Sequence, residues 1–302
     1  MNDFNEETLE VAVIGLGSMG MGVARSLLRS GITTRGFDLN PEALDEFAKA
    51  GGDVASDLAD TVRTCRVVIL MLVNAEQCDS VLFGEGGMAE AIPQGSVVLL
   101  GSTTSASYAK ALDRKLQAHG LKMIDAPVSG GAVKASVGEL SIMASGEPAA
   151  FDICGPVFEA IAAKIYPVGD EVGAGETVKM INQLLAGVHI ASAAEAMALG
   201  MKAGLDPDMV FEIISNSAGS SWMFQNRVPH ILQGDYSPKS MVDIFVKDLG
   251  IVLDAGKEMK FPLPIAASAH QQFLSASAAG YGKEDDAAVI KVYPGIELPK
   301  KQ

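Results

Sequence analysis

The sequence predicts an α/β N-terminal domain, residues 1–172, followed by an all-α C-terminal domain, residues 173–302, built on a long helix between the two. Three observations carry this expectation. Short apolar runs alternate with helix-like stretches as far as about residue 168, as strands joined by crossover helices require. A glycine-rich turn separates the first run from the helical stretch after it. Beyond Gly173 the strand pattern stops, and an apolar, Ala-rich run extends from Glu176 to about Ala203, with Gly173 and Gly175 before it and Gly204 after it. That run makes a helix of about 42 Å, long enough to cross a domain.

Taken in order, Leu9–Ile14 reads as a buried strand. It runs into Gly15-Leu16-Gly17-Ser18-Met19-Gly20 and then into Met21–Leu28, which has helical periodicity. Strand, G-x-G-x-x-G, helix is the arrangement of a dinucleotide-binding turn. Gly15 permits the tight turn, Gly17 lets a pyrophosphate approach the backbone, and Gly20 lets helix and strand pack closely. The helix N-terminus adds N–H donors and the positive end of its dipole. The six residues Gly15 to Gly20 are therefore expected to line a cofactor in a Rossmann-type domain. Thr33–Asp38 is the second strand. Asp38, 18 residues past Gly20, stands where an acid accepts hydrogen bonds from an adenosine ribose and repels a 2′-phosphate, so NAD is expected over NADP. Arg35 lies three residues upstream, away from the strand end.

A helix from Pro41 to Ala50 follows the Asn40-Pro41 start signal. Cys65–Val73 and Ser96–Leu100 are near-continuous apolar strands, as a sheet covered on both faces requires. Ligands in such sheets bind beyond the carboxyl ends of the strands, which positions Thr103 toward the nicotinamide side of a cofactor. Thr104 or Ser105 can serve as the N-cap of a helix from Ser107 to Gln117. The strand beginning at Leu121 ends in Ser129-Gly130-Gly131, where a hydroxyl and adjacent N–H groups form a concavity suited to a carboxylate; an ordinary loop before a helix at Ala132–Val137 is the alternative. Leu140–Ala144 and Lys164–Val168 are the last two strands expected.

The second domain reads as helices only: Asp206–Asn216, Ser220–Leu232, Met241–Met259, Leu263–Ala279 and Glu284–Ile290, with an irregular tail from Pro294. Lys179 and Asn182, three apart, share one face of the long helix. Trp222, Phe224 and Phe245 stand at helical spacing, where core packing is commoner than a pocket wall.

Lys+Arg 23 against Asp+Glu 37 gives 23 − 37 = −14, which argues against a nucleic-acid partner and requires a local positive site for any anionic substrate. Cys65, Cys78 and Cys154 are too few for a disulfide framework, and His119, His189, His230 and His270 have no ligand spacing, so no metal is expected. Met1–Thr8 is polar and acidic, without signal-peptide character, so a cytoplasmic location is expected. Leu184–Met201 is interrupted by His189 and Glu195, which favours a buried helix over a membrane span. The Ala-rich helices predict more apolar surface than a small bundle buries, hence a homo-oligomer, dimer or tetramer.

Four segments together resemble the β-hydroxyacid dehydrogenases, the 3-hydroxyisobutyrate dehydrogenase group: Gly15–Gly20; Asp125–Gly131; Gly173-Ala174-Gly175 leading to Lys179–Gln183; and Phe245–Leu249. They occur in the family's order along nearly the whole chain. Gly101 departs from it, since many members carry Asp there. The resemblance implies oxidation of a small hydroxy acid by NAD, with Lys179 as general acid/base and Asn182 holding the substrate. Burial or a neighbouring cation would bring a lysine into the range useful for a base. It further implies that Ser129, Gly130 and Gly131 bind the substrate carboxylate and that Lys247 contacts the cofactor; an exposed ion pair of Lys247 with Asp248 or a neighbour is the alternative. Residues 217–229 and 242–250 are similar to the branch that acts on L-threonate; 3-hydroxyisobutyrate, glycerate and tartronate semialdehyde (2-hydroxy-3-oxopropionate) are the alternative substrates, and a dinucleotide-sensing module is the non-catalytic alternative.

Overall fold

The central strands are buried on both faces, as the sequence expects, and successive side chains join two different cores. In the computed structural model, which describes residues 9–55 and 57–301, Val11, Val13, Val67, Ile69, Val97 and Leu99 join one core. Ala12, Ile14, Val68, Leu70, Val98 and Leu100 join a second core on the other face. Met1–Thr8, on which the expectation about a signal peptide rests, lies outside the described residues.

The first strands and helices are β1 (Glu10–Ile14), α1 (Ser18–Arg29), β2 (Thr33–Phe37), α2 (Pro41–Lys49), β3 (Asp53–Val54), α3 (Leu58–Val62) and β4 (Val67–Leu70). Then come α4 (Ala75–Phe83), β5 (Val97–Leu100), α5 (Ala106–Ala118), β6 (Lys122–Asp125), β7 (Val128–Ser129) and α6 (Gly131–Val137). The sheet closes with β8 (Leu140–Gly146), α7 (Pro148–Ile161) and β9 (Ala162–Gly169). Strand order is β3-β2-β1-β4-β5-β6-β8-β7, with β9 on β8. From β3 to β6 every pairing is parallel, in the order of a dinucleotide-binding sheet. β8 runs antiparallel to β6 and β7.

Helices dominate the rest: α8 (Ala174–Lys202), α9 (Pro207–Ser215), α10 (Trp222–Gln233), α11 (Val242–Glu258) and α12 (Pro264–Ala276), then a π turn at Ser277–Tyr281 and a 3-10 helix at Asp286–Val292. One core unites Ile190, Ala194 and Met197 of α8 with Phe224 and Val228 of α10, Phe245 and Leu249 of α11, and Phe273 of α12. The Phe245 and Phe273 rings stack at 5.1 Å.

Backbone contacts divide the chain into Met1–Lys179 and Met180–Gln302. This contact-based division falls inside α8. The cause is local, because the first turn of α8 hydrogen-bonds to β6 and β8 of the sheet unit.

Three helices escape the sequence pattern, and α3, five residues long, is too short to show a periodicity. α7 carries Gly155 and Pro156 mid-helix, which read as breakers. In α4 only Cys78 and Leu82 are buried, so no apolar stripe marks it. The expected burial of α8 holds for one face only. Ile190, Ala194 and Met197 are buried, whereas Ile181 is 53%, Leu185 49% and Leu199 70% exposed. By length and composition α8 could cross a membrane, and 39% of its most apolar 18-residue window is buried.

Candidate active site

At the β1–α1 turn, each glycine answers to a separate constraint. Gly15 has φ +93°, and a Cβ there would lie 2.5 Å from Met71 O. A Cβ at Gly20 would fall 1.8 Å from Gly15 O, so helix and turn touch through bare backbone. At Gly17 a Cβ would meet nothing within 4 Å. Gly17 is also the N-cap of α1, with no side-chain cap and no acid in the first turn. The open space at Gly17 and the uncapped N–H groups of the first turn, Ser18, Met19 and Gly20, suit an anionic group of pyrophosphate size, while the Gly15 N–H donates to Phe37 O.

Asp38 follows directly on β2. Its Oδ2 accepts the Leu16 N–H at 2.6 Å, and its Oδ1 accepts the Asn40 N–H at 2.8 Å. One carboxylate thus ties the glycine turn to the end of β2 and keeps a lone pair on each oxygen for a further donor. Arg35 is engaged elsewhere, 2.9 Å from Asp53 Oδ2 and 2.6 Å from Asp60 O.

The turn after β5 is pinned by buried hydroxyls. Ser102 Oγ accepts the Leu72 N–H at 2.8 Å and donates to Leu70 O. Ser105 caps α5 by accepting the Tyr108 N–H. Between them, Thr103 is half-buried at the carboxyl end of the strand. Thr104 donates its hydroxyl to Glu176 Oε1 at 2.9 Å, and its N–H contacts both carboxylate oxygens at 3.1 Å.

Glu176 lies in the first turn of α8, and three N–H groups of that turn are met by two side chains from the sheet. Asp125 Oδ2 accepts the Glu176 N–H at 2.9 Å. Ser145 Oγ accepts the Ala174 and Gly175 N–H groups at 3.1 Å each, while its hydroxyl donates to Asp125 Oδ1. Burial raises the Asp125 carboxyl above its ordinary range, against the hydrogen bonds from Ser145 and Glu176. A Cβ at Gly175 would sit 2.4 Å from Met143 O, so only glycine lets the helix come this close.

Lys179 follows one turn later, 7% exposed, and its Nζ donates to Val128 O at 2.8 Å. Val128 immediately precedes Ser129, Gly130 and Gly131. Gly130 has φ +138° and Gly131 φ +70°, so the turn exists because both positions lack a Cβ. Lys179 and the Ser-Gly-Gly turn are therefore neighbours through one residue.

In the helical unit, Asn182 is half-buried and its Nδ2 donates to Gln183 Oε1 at 2.9 Å. Gln183, 8% exposed, donates through Nε2 to Asp248 Oδ2. Asp248 Oδ1 lies 3.0 Å from Lys247 Nζ, with the carboxylate buried rather than exposed. Asn182 and Lys247 are thus two ends of one polar line joining α8 to α11.

Phe224 and Phe245 are core residues, 4% and 3% exposed, while Trp222 is 67% exposed. Sequence reasoning missed Gln183, Asp248, Ser145, Glu176 and the role of Asp125. The one available signal was a carboxylate ending an apolar strand, Met123-Ile124-Asp125, and another opening an apolar helix.

Comparison with known proteins adds to this geometry. Residues 10–169 match the family described as the NAD binding domain of 6-phosphogluconate dehydrogenase. Residues 173–293 match that described as the NAD-binding of NADP-dependent 3-hydroxyisobutyrate dehydrogenase. An L-threonate dehydrogenase of Cupriavidus necator is 56% identical over 291 residues, covering 96% of this chain and 98% of that protein. A crystal structure described as 3-hydroxyisobutyrate dehydrogenase from Salmonella typhimurium has a TM-score of 0.90 and 50% identity, covering 94% of this chain and 100% of that one. The solved structure of Psf3 with NADP+ and 2-OPP has a TM-score of 0.85 at 25% identity, covering 93% and 99%.

Proposed function

The chain belongs to the β-hydroxyacid dehydrogenase family, in its 3-hydroxyisobutyrate dehydrogenase group, and from that premise we propose that it oxidises L-threonate at the C2 hydroxyl with NAD, giving 2-dehydro-L-erythronate. It is a nicotinamide-dependent oxidoreductase acting on a small hydroxy acid. The geometric observation that carries the proposal is Lys179 Nζ on Val128 O, one residue from Ser129-Gly130-Gly131. The choice of L-threonate rests on the full-length likeness to a protein that bears that substrate's name.

A nicotinamide held at the glycine turn would supply the hydride acceptor for C2. The protein supplies orientation and a proton acceptor. Ser129 Oγ–H and the N–H groups of Gly130 and Gly131 hold the substrate carboxylate. Lys179 gives one hydrogen to Val128 O; as a neutral amine it keeps a lone pair for the C2 hydroxyl proton, and as ammonium it returns that proton in reduction. Asn182 orients the substrate by hydrogen bonding. Gly15 to Gly20 receive the pyrophosphate, Asp38 the adenosine ribose, and Thr103 the nicotinamide side of the cofactor. A carboxylate at the ribose repels a 2′-phosphate, which favours NAD.

The exposed Ile181, Leu185 and Leu199 of α8, with Met209 and Ile213 of α9 at 43% and 55% exposure, support a homo-oligomer. The working location is the cytoplasm. A turnover panel tests the substrate: L-threonate, 3-hydroxyisobutyrate and glycerate, each with NAD and with NADP. L-threonate with NAD is expected to give the highest kcat/KM; a higher value for another acid overturns the assignment. A monomer in light scattering overturns the oligomer.

A further inference from the structure

We propose that Asp125, acting with Ser145, is a positioning residue that sets the place of Lys179 relative to the Ser129–Gly131 turn. The inference rests on the reading of Lys179 as the proton acceptor. Its ground is a double attachment between two short segments. Asp125 holds the Glu176 N–H at 2.9 Å, and three residues further along both segments Val128 O holds Lys179 Nζ at 2.8 Å. The first turn of α8 is therefore laid against the Asp125–Val128 segment at two points, and that segment continues directly into Ser129.

The chemistry of the attachment leaves little slack. The first N–H groups of a helix have no partner inside it. Here Ala174, Gly175 and Glu176 all donate to Ser145 and Asp125, and Ser145 spends its own hydrogen on Asp125. Asp125 and Ser145 are both 0% exposed, so water cannot substitute. On the far side, Glu176 is 1% exposed and takes the Thr104 N–H and hydroxyl, which fastens the same turn to the end of β5. At Gly175 a Cβ would meet Met143 O at 2.4 Å and Asp125 O at 2.9 Å, so its absence lets the helix approach the sheet. None of these residues is needed to touch substrate. Together they turn a loop-adjacent lysine into one whose amine is fixed to the turn that would hold the substrate carboxylate.

Asp125→Asn is the informative change. Ser145 Oγ already accepts two N–H groups, so its hydrogen must go to an acceptor on residue 125, and so must the Glu176 N–H. The two donors reach different oxygens, Oδ1 and Oδ2, and in asparagine one of these becomes an NH2 group that faces a donor. A displacement of about 1 Å in a reacting group costs on the order of 100-fold in rate. Asp125→Asn is therefore expected to lower kcat about 10- to 100-fold, with one NADH bound per chain and an NADH Kd within about twofold of the parent. Ser145→Ala keeps the Asp125–Glu176 bond and loses the relay to Ala174 and Gly175, so a smaller fall in the same direction is expected. It carries the test if Asp125→Asn does not fold.

NADH stoichiometry separates positioning from simple loss of folded protein. A kcat per NADH-binding site within twofold of the parent in the folded variants overturns the inference. If Lys179→Ala itself retains turnover, the reading of Lys179 falls instead, whatever Asp125→Asn does. Full activity in Asp125→Asn beside an inactive Lys179→Ala leaves that reading standing and removes only the positioning role.

Discussion

Replacing Asp38 with Asn tests the cofactor end with the least change of shape. Asp38 accepts one backbone N–H on each oxygen, from Leu16 at 2.6 Å and Asn40 at 2.8 Å. Asparagine offers one oxygen, so one of those N–H groups faces an NH2 group and the glycine turn loses one of its two ties to β2. A hydrogen bond to a charged group contributes about 1.5–3 kcal/mol. Asp38 is half-buried, so the lower figure applies after solvent screening, about tenfold in cofactor affinity. Loss of the negative charge acts separately, by removing the repulsion of a 2′-phosphate. Titration of tryptophan or NADH fluorescence with each cofactor reads both effects. The expected outcome is a Kd for NADH raised about tenfold while the preference over NADPH narrows by at least as much. An unchanged Kd for NADH together with an unchanged preference would refute the role given to Asp38.

Two further outcomes follow from the same structure. Lys179→Ala is expected to lower turnover by about 1000-fold, within the range of a lost general base, with the NADH Kd within twofold; stopped-flow absorbance and fluorescence titration check it. In the helical unit, burial pushes the Asp285 carboxyl up, but His230, the Lys239 N–H and the Ala287 N–H together hold it below its ordinary 3.8. A lowered folded value gives stability that is present above 3.8 and lost as pH falls through the folded value. Asp285→Asn is therefore expected to cost about 3 kcal/mol at pH 7, and the difference from the parent to close on acidification below about 4, read by urea unfolding.

Legibility from the sequence divides by distance along the chain. The glycine turn, Asn40-Pro41 and the strand cores are local patterns: a steric demand, a cap, or an apolar run buried on both faces. α8 shows itself by length. α7 does not, because Gly155 and Pro156 resemble a break and the helix is held by packing of Val157, Phe158 and Ile161. The fixing of Lys179 is illegible for another reason. Asp125 meets Glu176 across 51 residues and Thr104 meets it across 72, and no short pattern records either pairing. Gln183 and Asp248, 65 apart, are of the same kind. Asn182 stood out because an amide heads an apolar run. Gln183 beside it carries the longer-range contact.

The most direct test of the account is where the hydrogen goes. L-threonate carrying deuterium at C2 is incubated with NAD and the chain, and the reduced cofactor is analysed by mass. Direct transfer gives reduced cofactor one mass unit heavier, formed with a primary isotope effect on the single-turnover rate and accompanied by 2-dehydro-L-erythronate. Reduced cofactor without deuterium, or no reduction of NAD by L-threonate, would contradict it.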